Sequence, residues 1–181
     1  FSDEKKLLRN CDIFIVTVPT PIDQEKNPNL KFLKEASKTV GESIKKSKGK
    51  EFNKIVIYES TVYPGLTEEI CIPIVEKESG LLFDSKSKQN TFYCGYSPQR
   101  INPGDKKHTL NSIVKITSGC NSIVASWIDK FYGSFIKAGT FKATSIKVAE
   151  AAKIIENTQR DINIALVNEL SMLFKKINID T

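Results

Sequence analysis

The sequence predicts an α/β fold, a doubly wound and mostly parallel sheet followed by one long helix. Short β-branched apolar runs alternate along the chain with segments of helical spacing. The apolar runs stop at loops rich in Pro, Gly and hydroxyl residues, as strands buried on both faces do. Residues 145–177 contain neither Gly nor Pro.

Residues 12–18 form a β-branched run ending at Pro19, the first strand. After a loop rich in Pro and Asn, residues 30–44 place Leu33, Ala36, Val40 and Ile44 at helical spacing. Residues 54–58 are the second strand, and residues 65–78 the second helix, with Ile70, Ile74 and Val75 on its buried side. Residues 90–96 and 113–117 read as further strands, 122–132 as a helix around Ile123, Trp127 and Phe131, and 141–143 as an edge strand. Such alternation implies right-handed crossovers and a parallel sheet covered on both faces. In residues 145–177 the apolar positions Ile155, Ile162, Leu166, Leu170, Leu173 and Ile177 recur at three, four or seven residues, the mark of one amphipathic helix. It spans roughly 45 Å. A helix of that length bridges two domains or packs against a second copy of itself.

At 181 residues, with 40% hydrophobic and 27% charged content, the chain holds one ordinary domain plus an extension. The net charge of +6 lies largely in lysines of two solvated stretches without interleaved aromatics, so no nucleic-acid partner is expected. No apolar run is long enough to cross a bilayer and the start is not a signal peptide, so the expected location is cytoplasmic. Cys11, Cys71, Cys94 and Cys120 form no C-x-x-C pair, and His108 stands alone beside Lys106 and Lys107. No metal site is expected.

Four runs carry chemistry. Val18-Pro19-Thr20-Pro21 reads either as a strand end closed by prolines or as a rigid loop that turns Thr20 toward a cofactor's ribose or diphosphate. Ser60-Thr61, within Glu59-Ser60-Thr61-Val62-Tyr63-Pro64-Gly65, reads either as a helix cap or as hydroxyls and free N–H groups suited to an anion or a polarised water. In Ser97-Pro98-Gln99-Arg100-Ile101-Asn102-Pro103-Gly104-Asp105, turn chemistry explains the second half but not Gln99-Arg100 at its entrance. Lys153 and Asn157, four apart, share a helical face that Arg160 continues. That face is either salt-bridged surface or a place to hold an oxyanion and position water. The first three runs follow strands, and in open α/β sheets ligands bind at the edge where strands end.

Taken together and in this order, the four runs resemble the nucleotide-sugar dehydrogenase family (UDP-glucose/GDP-mannose dehydrogenases), more closely its UDP-N-acetylhexosamine branch. The resemblance implies the second half of a Rossmann-like doubly wound sheet followed by a long dimerisation helix. It divides the chain into a partial NAD-binding domain, residues 1–144, and a truncated central helix, residues 145–181. It implies NAD as cofactor, a UDP-sugar as substrate, and a homodimer formed through the helix. The implied reaction oxidises C6 of the sugar to a carboxylate, reducing two NAD per sugar through a cysteine-bound thioester, in capsule or O-antigen biosynthesis. By the same resemblance Val18, Pro19, Thr20, Pro21, Ser60 and Thr61 contact NAD, and Thr61 helps place a catalytic water. Lys153 stabilises oxyanions, Asn157 bonds sugar and water beside it, and Gln99, Arg100, Ile101, Asn102 and Arg160 join them in binding substrate.

The chain departs from the family's pattern in three respects. No G-x-G-x-x-G occurs. The family's nucleophilic cysteine has no counterpart, and Cys120 is expected to be structural. Gln99 stands where the family's loop carries a carboxylate base, and an amide orients water without taking its proton. The chain is therefore expected to be an incomplete part of an enzyme, inactive alone. The rival readings are another hydroxyacid or phosphogluconate-type dehydrogenase and a non-catalytic dimerisation or nucleotide-binding module.

Overall fold

The computed structural model describes residues 2–47, 53–84, 90–99 and 112–180. Strands β1 (Ile13–Val16), β2 (Lys54–Tyr58), β3 (Leu82–Phe83), β4 (Thr91–Tyr96), β5 (Lys115–Gly119) and β6 (Thr140–Lys142) form one sheet in the order β1-β2-β4-β5-β6, with β3 also on β4. Helices α1 (Lys31–Lys45), α2 (Ile72–Ser79), α3 (Ser122–Gly133) and α4 (Ile146–Lys176) connect and follow the strands. A 3₁₀ turn, Lys5–Asn10, precedes β1, and a π-helical turn, Thr67–Cys71, leads into α2.

Alternation along the strands sorts their side chains onto two faces. Phe14, Val16, Val56, Tyr58, Phe92, Cys94 and Tyr96 pack beneath α1, α2 and the start of α4, while Ile57 and the half-buried Ile13, Ile55 and Tyr93 meet α3. Two apolar stripes compete for the inward side of α3. Val124, Ile128 and Tyr132 are buried, whereas Ile123 and Trp127, a residue earlier at the same spacing, point outward and Trp127 stacks on Phe131 at 5.5 Å. Gly95 decides between them, because a Cβ there would lie 2.2 Å from Ile128 Cδ1. The bare backbone is the seat for that side chain.

The sheet is mostly parallel, as expected, but one pairing is reversed. Strands β1, β2 and β4 run parallel, but β5 is antiparallel to β4, pairing Gly95 with Gly119 and Tyr96 with Ser118. A parallel neighbour needs a crossover of a dozen or more residues, usually helical. The sequence between β4 and β5 has Pro98, Pro103 and Gly104 and no helical spacing. The fifth strand also lies two residues later than expected.

Helix α4 is 31 residues long and starts at Ser145, whose hydroxyl accepts from Val148 N–H. Ile146, Ala149 and Glu150 are buried; further along, Ile155, Ile162, Leu166, Leu170, Leu173 and Ile177 are all exposed. No helix among the described residues is long and apolar enough to cross a membrane.

Candidate functional site

Because β1, β2 and β4 are parallel, the loops that follow them leave the same sheet edge. Ser60 Oγ donates to the Val18 carbonyl at 2.6 Å, and Thr20 Oγ1 donates to the Thr61 carbonyl at 2.7 Å, so the first two loops are tied to each other. Tyr96, at the end of β4, donates from its phenol to the Ser60 carbonyl at 3.1 Å. Ser60 is buried; Pro19, Pro21 and Thr61 are exposed on the rim and Thr20 is half-buried. Ser60 thus braces the loop, while Thr61 is exposed on the rim beside it.

Neither Ser60 nor Thr61 caps the following helix, since the turn that opens at Thr67 has no side-chain cap. The expected free N–H groups at this helix start are also occupied. Glu150 on α4 accepts from Gly65 N–H at 2.6 Å through Oε2 and from Thr67 N–H at 3.0 Å through Oε1. The anion that the helix start attracts is this buried carboxylate, a favourable partner for the positive end of a helix dipole. Gly65 has φ +95°, and a Cβ there would meet Glu69 Oε1 at 2.6 Å.

Glu150 lies one turn before Lys153, so the clamp that holds the loop also sets the height of Lys153 along the edge. Lys153 Nζ donates to the Gln99 carbonyl at 2.7 Å. Gln99 N–H in turn donates to the Glu59 carbonyl at 3.4 Å. One continuous set of contacts therefore joins α4, the Gln99 segment and the start of the Thr61 loop. Asn157 is half-buried one turn beyond Lys153. Arg160 pairs with Glu156 at 3.2 Å on its own helix, as a salt-bridged surface does. Arg100, Ile101 and Asn102 lie outside the described residues.

Sequence reasoning missed a buried ionic cluster below this edge. Lys115, at the start of β5, donates to Glu59 Oε2 at 2.9 Å, and Tyr132 donates to Glu59 Oε1. Burial lowers the Lys115 pKa, with Glu59 opposing, and pushes the Tyr132 phenol well up, an effect Glu59 reinforces. Burial also pushes Cys71 up to about 12 and Cys120 up to about 11, and raises Cys94. These three are thiols rather than activated nucleophiles. Among the described residues no cluster of His, Cys, Asp and Glu suits a metal ion.

Residues 1–136 match the NAD binding domain of the UDP-glucose/GDP-mannose dehydrogenase family, and residues 147–181 match its central domain. The chain belongs to this family. It is 56% identical over 174 residues to UDP-N-acetyl-D-glucosamine 6-dehydrogenase of Pseudomonas aeruginosa, covering 96% of this chain and 39% of that protein. With the Salmonella typhi enzyme of the same name it shares 55% over 181 residues, 100% of this chain and 40% of the relative. Protein CapL of Staphylococcus aureus is 52% identical, covering 96% of this chain and 38% of that protein. The chain thus spans about two fifths of the length of these relatives. Among solved structures, UDP-D-ManNAc dehydrogenase from Pyrococcus horikoshii superposes with a TM-score of 0.83 at 32% identity, covering 98% of this chain and 39% of that one.

Proposed function

We propose that this chain is the part of an NAD-dependent UDP-N-acetylhexosamine 6-dehydrogenase that carries one wall of the cofactor site and the oxyanion lysine. The observation that carries the reading is the meeting of three strand-end loops on one sheet edge, with Lys153 reaching across to the Gln99 carbonyl at 2.7 Å. The names of the relatives at 55–56% identity support the substrate class. Within it, residues 1–144 are the partial NAD-binding domain and residues 145–181 the central helix.

The residues on the edge fit NAD. Locked to each other, the loops after β1 and β2 present Pro19, Thr20, Pro21 and Thr61 along a rigid rim, against which Val18 and Ser60 serve as support. NAD bound there supplies a hydride acceptor. The Lys153 ammonium stabilises negative charge that develops on the C6 oxygen, at a site where the charge needs no solvent reorganisation. Thr61 orients water, Asn157 donates to sugar or water on the same helix face, and Gln99 orients water without accepting its proton. Arg100, Ile101, Asn102 and Arg160 complete the substrate contacts.

The exposed apolar stripe from Ile155 to Ile177 on α4 supports a homodimer through this helix. The test of the whole reading is NADH formation from UDP-N-acetylglucosamine by the full-length protein. Lys153→Met is expected to lower kcat by at least a hundredfold, as loss of an oxyanion donor does. No NADH from any UDP-hexose, or full activity in Lys153→Met, refutes the assignment.

A further inference from the structure

The ammonium of Lys115 is 4% exposed and faces three oxygens, one for each of its protons. They are Glu59 Oε2 at 2.9 Å, the Ser97 carbonyl at 3.3 Å and the Pro98 carbonyl at 3.5 Å. Its charge also lies 5.0 Å from the centroid of the Tyr132 ring. Glu59 is fixed from the other side by the Tyr132 phenol.

This cluster sits under the segment that carries Gln99. Strand β4 ends at Tyr96, and Pro98 has no N–H with which to prolong the ladder. The carbonyls that follow the strand need a donor from elsewhere. Reversal of β5 brings one: extending the pairing of Tyr96 with Ser118 sets Lys115 opposite Gln99. In a parallel β5 the first residue would lie at the far end of the sheet.

We propose that Lys115 is a positioning residue, which, pinned on Glu59, holds the Ser97 and Pro98 carbonyls and thereby fixes the Gln99 carbonyl on which the Lys153 ammonium rests. This deepens the dehydrogenase reading and rests on it for the role of Lys153. Stability alone does not account for the cluster. Taking a lysine and a glutamate out of water is costly, and apolar replacements of similar volume often match such a pair in stability. An apolar residue would, however, offer the Ser97 and Pro98 carbonyls nothing.

Two measurements separate this proposal from the reading it rests on. In the 181-residue chain labelled with ¹⁵N, Lys115→Met is expected to speed hydrogen exchange of the Lys153 ammonium and the Gln99 amide at least fivefold, with the amides of β2 unchanged. Exchange of both groups within twofold of wild type in the folded variant overturns the proposal whatever the enzyme does. Should Lys115→Met fail to fold, Glu59→Gln, which neutralises the pin and keeps its shape, is expected to speed the same signals at least threefold, and unchanged signals overturn it. In the full-length protein Lys115→Met is expected to lower kcat at least tenfold with KM within twofold. A loss confined to KM, or unchanged kcat, also overturns it. Absence of NADH formation by the wild type would instead refute the dehydrogenase reading and leave the exchange result standing.

Discussion

Replacement of Glu150 by alanine is the sharpest test of how the site is assembled. The carboxylate is fully buried and accepts from two backbone N–H groups, those of Gly65 and Thr67, that belong to a different part of the chain. Hydrogen bonds to a charged group contribute about 1.5–3 kcal/mol each, and a buried donor left without a partner costs about 1–3 kcal/mol. These are two views of the same loss and do not add, so Glu150→Ala is expected to cost about 3–5 kcal/mol. For a chain of this size that is a fall of roughly 10 °C in Tm. Glu150→Gln keeps the shape and one acceptor but turns an NH₂ group toward a backbone donor, and about 1–3 kcal/mol is expected. Urea unfolding at fixed pH, with the slope m compared between variants, reads these differences. A loss below about 1 kcal/mol in Glu150→Ala would refute the view that this carboxylate joins helix and loop.

Four further outcomes are expected. Gly65→Ala forces a side chain onto a backbone at φ +95° and against Glu69; it should cost about 1–2 kcal/mol by thermal unfolding, and a neutral result would argue against the described turn. Cys71 and Cys94 are held protonated by burial, Cys71 up to about 12 from an ordinary value of 9.0. Above that value the unfolded chain loses protons that the fold retains, so stability falls as pH rises from about 8 to about 10 under reducing conditions, and Cys120 adds to the fall. The buried Tyr58 and Tyr96 phenols act in the same direction and Lys115 in the opposite one; a flat profile would contradict the burial. In the full-length enzyme Gln99→Glu should raise steady-state NADH release severalfold with little change in the initial burst, and no gain argues against the role given to Gln99. Leu166→Glu with Leu170→Glu should convert a dimer to monomer in sedimentation, whereas an unchanged mass would sink the helix-mediated dimer.

Much of the fold was legible because its signals are local. The residues of β2 were read without error from a β-branched run, and the bounds of α4 to within a residue from the lack of Gly and Pro and the recurring apolar positions. The direction of β5 was not legible from its own residues, which carry no sign of polarity; the clue lay in the missing helical pattern before it. The inward stripe of α3 escaped because Ile123, Trp127 and Phe131 match the spacing of Val124, Ile128 and Tyr132, and the choice between them rests on distant features such as the room that Gly95 leaves for Ile128. The strand-end loops announced themselves through prolines and hydroxyls. Glu150 and the Lys115, Glu59 and Tyr132 cluster did not, because their meaning depends on partners tens of residues away. A faint signal existed for Glu150, an acid on the turn shared by Ile146 and Ala149, where an apolar residue would be expected.

The anchoring of α4 at one end gives it the mechanics of a lever. Its first turns are gripped by Glu150 and by the exposed pair of Lys147 with Glu69 at 3.2 Å, while the remainder, from Glu150 to Lys176, runs on as a rod of roughly 39 Å. A swing of only about 5° about that fulcrum would carry the far tip through roughly 3 Å. By the same geometry Lys153, only three residues past Glu150, would shift by roughly 0.4 Å, so coarse displacement at the tip would become a small correction beside the pivot.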